Sequence, residues 1–158
     1  MAVVIINTMP YFLYYFKNTH LSRGLIMDMY SSLQVLVSGI VSGLILFQSA
    51  FVAPTVFTTL STENRAPFLR SVFPKLFKAV MILGFVFLII TFIKTSESMV
   101  IYLVGTFTFL SGFICNSIIP ATNRARDEGH EKMFSFLHRL SVVLTVSTLL
   151  LNLSWILI

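Results

Sequence analysis

A single cysteine, Cys115, in 158 residues excludes a disulfide-stapled secreted domain. Charge is scarce as well: Asp, Glu, Lys and Arg together make up 11% of the chain, where soluble domains carry roughly 25%. That deficit excludes an ordinary water-soluble fold. Disorder is excluded by the opposite excess, since 56% of residues are hydrophobic and 16 are Phe. Acidic residues are the rarest charged class, 6 against 11 Lys and Arg, and no Asp, Glu, Lys or Arg falls in the middle of a long apolar run. Ion-coupled transporters and proton pumps need such an intramembrane ionisable group, so the pattern disfavours them.

What is present is apolar sequence in four long runs. They cover about Ser31 to Val52, Val72 to Ile93, Met99 to Ile119 and Phe136 to Ile158, each the length that crosses a bilayer as a helix. Pro54 and Pro120 are placed to end the first and third helices, and Pro74 to kink the second. The second helix starts through Pro67, with Ser61 or Asn64 as its cap. Trp155, the only Trp, stands near the end of the fourth run as an interfacial anchor. The predicted fold is therefore all-α: a polytopic membrane protein built as a four-transmembrane-helix bundle over residues 30–158, preceded by an N-terminal segment at residues 1–29.

The net charge of +5 would suggest nucleic acid in a soluble protein, but here the cations flank apolar runs instead of forming a basic face with interleaved aromatics. Nucleic acid is not an expected partner. Arg65, Arg70, Lys75 and Lys78 lie in and after the first connection, and Arg124, Arg126, Lys132 and Arg139 in and after the third. Only Lys17, Arg23 and Lys94 belong to the other side. This asymmetry predicts both termini on the non-cytoplasmic side, or the intermembrane side of an organelle, with the mitochondrial inner membrane one such location.

The first 24 residues have an apolar stretch broken by Asn7 and Pro10, too short for a comfortable fifth span. Their cations follow the apolar stretch, whereas a cleaved signal peptide carries them before it. Tyr11, Phe12, Tyr14, Tyr15 and Phe16 suit an interfacial segment, with an uncleaved targeting element as the alternative.

Lipid is as apolar as leucine, so membrane helices associate through small residues and hydrogen bonds. Ser31, Gln34, Ser38, Ser42 and Ser49 share one arc of the first span, with Gly39 and Gly43 beside them as a small-xxx-small pair. His138, Ser141, Thr145, Thr148 and Asn152 share an arc of the fourth, and Thr108, Ser111, Gly112 and Cys115 cluster on the third with Asn116 at the edge. The expected helix-packing set is Ser38, Gly39, Ser42, Gly43, Ser111, Gly112, Asn116, His138, Ser141, Thr145 and Asn152. Packing is the preferred reading of these stripes, and a polar pathway the competing one. The second span is dominated by Phe73, Phe77, Phe85, Phe87 and Phe92 around Gly84, and is expected to face lipid or a partner.

No catalytic, cofactor-binding or metal-ligating residue emerges. His20, His130 and His138 make no paired spacing for zinc or bis-histidine haem, and His138 reads as a capping or hydrogen-bonding group. Cys115 is expected to be buried and unreactive. Phosphate-binding glycine loops and nucleophile elbows are lacking. Asp127, Glu128 and Glu131 alternate with Arg124, Arg126 and Lys132, reading as a solvated loop with pairs such as Arg124 to Glu128.

With the spans placed, the chain resembles the transmembrane protein 205-like family, also catalogued as domain of unknown function 4149. The resemblance rests on Phe47 leading to Ala53-Pro54-Thr55-Val56-Phe57, on Phe73-Pro74-Lys75-Leu76-Phe77, on Asn116 with Pro120, and on His138, Ser141 and Asn152. It extends over about Ser31 to Asn152. The aromatic N-terminal extension and Arg139 after the His depart from that pattern. The resemblance implies a four-helix membrane fold, no established catalytic residues, and an association with membranes and vesicle traffic.

These readings converge on a non-enzymatic integral membrane protein, an accessory or scaffold subunit of a larger membrane complex. A respiratory or other energy-transducing complex suits the aromatic, acid-free start of the chain. The expected partners are membrane lipids, including bound lipid, and other membrane-protein subunits, with no soluble small-molecule substrate and no cofactor. The alternative is a small transporter or channel whose polar face is formed by spans one, three and four.

Overall fold

The computed structural model describes the backbone of residues 20–94 and 98–156, and side chains from Met29 onward. The expected interfacial segment therefore lies almost wholly outside the described residues. Among the described residues every regular element is helical: α1 (His20–Phe47), a π-helical segment (Gln48–Val52), α2 (Ala53–Thr59), α3 (Thr62–Lys94), α4 (Met99–Asp127) and α5 (Glu131–Ile156). Helices satisfy their own backbone hydrogen bonds, which is the condition for crossing a bilayer. Four stretches are long and apolar enough to do so: Met29–Thr59, Thr62–Lys94, Met99–Asp127 and Glu131–Ile156.

The prolines do not end helices where the sequence predicts. Helix continues past Pro54 to Thr59, because the residue four before it, Ala50, lies in the π segment. There the Ala53 N–H reaches back to the Gln48 carbonyl, a wider turn that relieves the clash a proline ring makes in an α-helix. Pro67 and Pro74 are accommodated within α3, and Pro120 within α4, which runs on to Asp127. The chain turns at Leu60, which is extended (φ −92°, ψ 143°). It turns again at Gly129, whose φ of 70° is the left-handed conformation that glycine adopts without strain. The His130 N–H bonds the Ala125 carbonyl there at 2.9 Å, closing the end of α4.

The spans pack as a four-membered ring, α1 to α3 to α4 to α5 and back to α1. Two glycines set the closest approaches. A Cβ on Gly84 would collide with the Phe109 backbone, and one on Gly112 would lie 2.6 Å from the Met81 nitrogen, so α3 and α4 touch backbone to backbone. Gly84 is thus buried in the bundle, so the second span, expected to face lipid or a partner, also makes a close contact within the chain. Of that span's aromatics, Phe77 and Phe87 are also buried, while Phe85 and Phe92 face outward as expected. Val37, Phe87, Ile101 and Val104 form one apolar layer, and Val41, Ile45 and Val80 the next.

Polar ties close the two ends. Lys94 Nζ donates to Ser31 Oγ at 2.8 Å at one end, and Arg70 pairs with Asp127 at the other. The expected Arg124 to Glu128 pair is replaced: Asp127 engages α3, and Glu128 Oε2 lies 3.5 Å from His130 Nδ1. Trp155 turns inward instead of anchoring at the interface, its ring edge-on to Phe87 with centroids 6.4 Å apart.

Candidate functional site: the polar seam of the bundle

Along α1 and into the π segment, buried positions recur at Gln34, Val37, Ser38, Val41, Ser42, Ile45 and Gln48, so this span presents amides and hydroxyls to the bundle axis. Gln34 Nε2 donates to Thr91 Oγ1 on α3 at 2.9 Å, and Thr91 Oγ1 donates to the Phe87 carbonyl at 2.8 Å. Asn152 Nδ2 on α5 donates to Thr108 Oγ1 on α4 at 2.8 Å and to the Thr148 carbonyl at 2.9 Å. Cys115 Sγ lies 3.9 Å from the Ser141 carbonyl. Ser141, Thr145 and Thr148 donate to carbonyls one turn back on their own helix. The seam therefore draws on all four spans.

It is incompletely satisfied. Gln34 Oε1, Ser38 Oγ, Ser42 Oγ, Gln48 Nε2 and Ser111 Oγ are buried with no hydrogen-bond partner among the described residues. Each such atom costs about 1–3 kcal/mol in desolvation, so a seam with this many is a local weakness in the packing. Midway along it, residues of all four spans, including Ser111, Cys115 and Thr148, enclose a cavity of about 10 Å³. That is room for about one water molecule.

Eleven residues are expected at helix contacts, and the structure divides them. Ser38, Ser42, Ser111, Gly112 and Asn152 are buried on the seam. Asn116, Ser141 and Thr145 are half-buried at its margin. Gly39 and Gly43 are exposed, and a Cβ on either would meet nothing within 4 Å. They belong to the outer face of α1 because Gln34, Ser38, Val41 and Ile45 already hold the inner one. Among the described residues their small-xxx-small pair packs against nothing, in contrast to the expected bundle contact. His138 is exposed too; among the described residues it caps nothing and stacks on Phe134, with centroids 5.8 Å apart and planes 6° from parallel. Arg126 lies over the other ring partner, 4.8 Å from the Phe134 centroid.

Two interior groups, Thr91 and Gln48, and the turn residue Arg65 play roles not expected from the sequence. Thr91 continues the buried series Phe77, Val80, Gly84 and Phe87, whose spacing was the available signal. Gln48 takes the interior position and Ser49 is exposed, because the π segment changes the register of the last turn. Arg65, whose Nε donates to the Leu60 carbonyl at 3.0 Å and whose guanidinium lies over Phe57, fastens the turn between α2 and α3. Among the described residues no group of three or more His, Cys, Asp or Glu is placed to hold a metal ion.

No curated protein and no solved structure matches the chain. Residues 36–131 match the model of the domain of unknown function (DUF4149), which spans most of the ring from the middle of α1 to the start of α5. With its four-span helical bundle and its polar seam, the chain belongs to the DUF4149 family.

Proposed function

We propose that this protein is a non-enzymatic subunit of a larger membrane assembly, joined to its neighbour through the outer face of α1. The observation that carries this reading is the open pair Gly39 and Gly43, with no atom within 4 Å of where a Cβ would stand. In a bilayer such spacing lets a second helix approach closely, and no helix among the described residues uses it. The small cavity between the four spans, with room for about one water molecule, is in keeping with this reading. The termini lie on the non-cytoplasmic side by the cation asymmetry, and the transmembrane protein 205-like kinship is part of the same proposal. An energy-transducing membrane is the setting that the acid-free N-terminal sequence favours.

The test is cysteine crosslinking in native membranes. Gly43→Cys in a Cys115→Ala background is predicted to form a specific adduct, whose mass distinguishes a second copy from a different subunit. Phe85→Cys, on the outward face of α3, serves as the control. Equal, diffuse crosslinking from both positions would refute the assignment of the α1 face.

A second reading keeps the seam as a pathway for water or another small polar solute. It rests on the five unpartnered buried atoms of Gln34, Ser38, Ser42, Gln48 and Ser111. Specific solute flux from the purified chain in liposomes would favour it over the subunit role.

A further inference from the structure

The outer face of α5 has a chemistry distinct from that of α1. Lys132, Arg139, Val143, Val146 and Leu150 fall within about 60° of one another at 100° per residue, all on the exposed side. Phe136, Arg139, Leu140 and Val143 outline a shallow, open groove on the surface of this one helix. Below it Val143, Val146 and Leu150 are 55%, 47% and 58% exposed, so the apolar track continues uncovered. Arg139 is about 12 Å along the axis from the start of α5, and Leu150 about 16 Å beyond Arg139, at 1.5 Å per residue. The guanidinium turns back toward the helix start, where Nη2 donates to Ser135 Oγ at 3.4 Å. A cation oriented in this way reaches toward headgroup depth while its stem lies on the groove.

We propose that this face is a binding site for one anionic phospholipid, with the phosphodiester at Arg139 and Lys132 and an acyl chain along Val143, Val146 and Leu150. Charge complementarity is the argument for the occupant. Of the cations at this end of the bundle, Arg70 pairs with Asp127 and Arg126 lies over the Phe134 ring, while Lys132 and Arg139, like Arg124, Lys75 and Lys78, have no acidic partner among the described residues; Lys132 and Arg139 are the two that share the helix face of Val143, Val146 and Leu150. Glu131 lies about 80° around the helix from Arg139, and Glu128 is beside His130. A lipid without net charge would bring a quaternary ammonium against the same two cations, so phosphatidylglycerol is preferred to phosphatidylcholine.

The experiment is native mass spectrometry of the full chain in detergent, with phosphatidylglycerol and phosphatidylcholine of matched acyl chains supplied equally. The wild type is expected to retain phosphatidylglycerol preferentially, and Arg139→Gln to lower that preference about five-fold, the effect of one basic residue at a membrane surface. Arg139→Lys is expected to keep most of it. Lys75→Gln, an exposed cation on α3 away from the groove, is expected to leave it unchanged. Melting in lipid-free detergent establishes that each variant is folded, as exposure of Arg139 predicts. An unchanged preference in Arg139→Gln, or an equal fall in Lys75→Gln, would overturn the site in favour of a diffuse surface potential or a lipid annulus.

Discussion

Asn152 and Thr108 form a buried side-chain hydrogen bond of 2.8 Å that joins α5 to α4, with both residues almost completely removed from the surface. Together with Gln34 and Thr91, which join α1 to α3, it ties the four spans in pairs through polar groups. Hydrophobicity cannot select a helix partner within lipid, so these bonds and the glycine contacts choose the arrangement.

If that bond is packing glue, its removal has a modest cost. Thr108→Val, Asn152→Leu and the double variant should give a coupling of about 0.6 kcal/mol, and no more than about 1.7 kcal/mol, in detergent unfolding. A coupling indistinguishable from zero would mean that the two side chains do not meet in the bilayer.

Glycine position should matter far more. Gly112→Leu and Gly84→Leu drive a side chain into the Met81 and Phe109 backbones and should cost about 3 kcal/mol or more, since backbone cannot repack as side chains do. Gly39→Leu has open space and should leave the melt of the isolated chain within about 0.5 kcal/mol of wild type. Equal destabilisation of Gly39→Leu and Gly112→Leu would place the α1 outer face inside the bundle.

The four spans were legible because uninterrupted apolar runs permit little else. Their ends were harder to read. Pro54 and Pro120 look like terminators, yet a π turn absorbs the first and the second is accommodated inside α4, so helix extends beyond both. Of the packing residues, Ser38, Ser111 and Asn152 were readable from polar arcs, because a hydroxyl or amide in an apolar run is best placed away from lipid. Gly39 and Gly43 show the limit of such reasoning: their spacing says that a face can be approached closely but not whether the approaching helix belongs to the same chain. Gly84, with no small residue near it, makes the closer contact because Phe109 backbone lies against it.

Orientation is checked by labelling. In a Cys115→Ala background, cysteines at Asn64 and Gly129, both exposed, should react with an impermeant reagent from one side of the membrane, and a cysteine at Ser98 from the other. Reaction of all three from the same side is incompatible with the bundle.

The seam separates subunit from conduit. Ser42→Ala removes a buried hydroxyl with no partner among the described residues, and Thr145→Val removes one that donates to the Ser141 carbonyl of its own helix and lies beside the Cys115 thiol. Neither should cost more than about 1 kcal/mol in the melt, and liposomes holding the wild-type chain should show no specific flux of water or small solutes. Flux that Thr145→Val abolishes would move the assignment to the pathway reading.

Native size after mild extraction tests the subunit proposal most directly. The wild-type chain is predicted to migrate in an assembly larger than itself, and Gly43→Leu to migrate free of it with an unchanged melt, because the substitution blocks the α1 outer face without touching the bundle. A wild-type chain that migrates alone, or a Gly43→Leu chain that stays in the same assembly, would contradict the account.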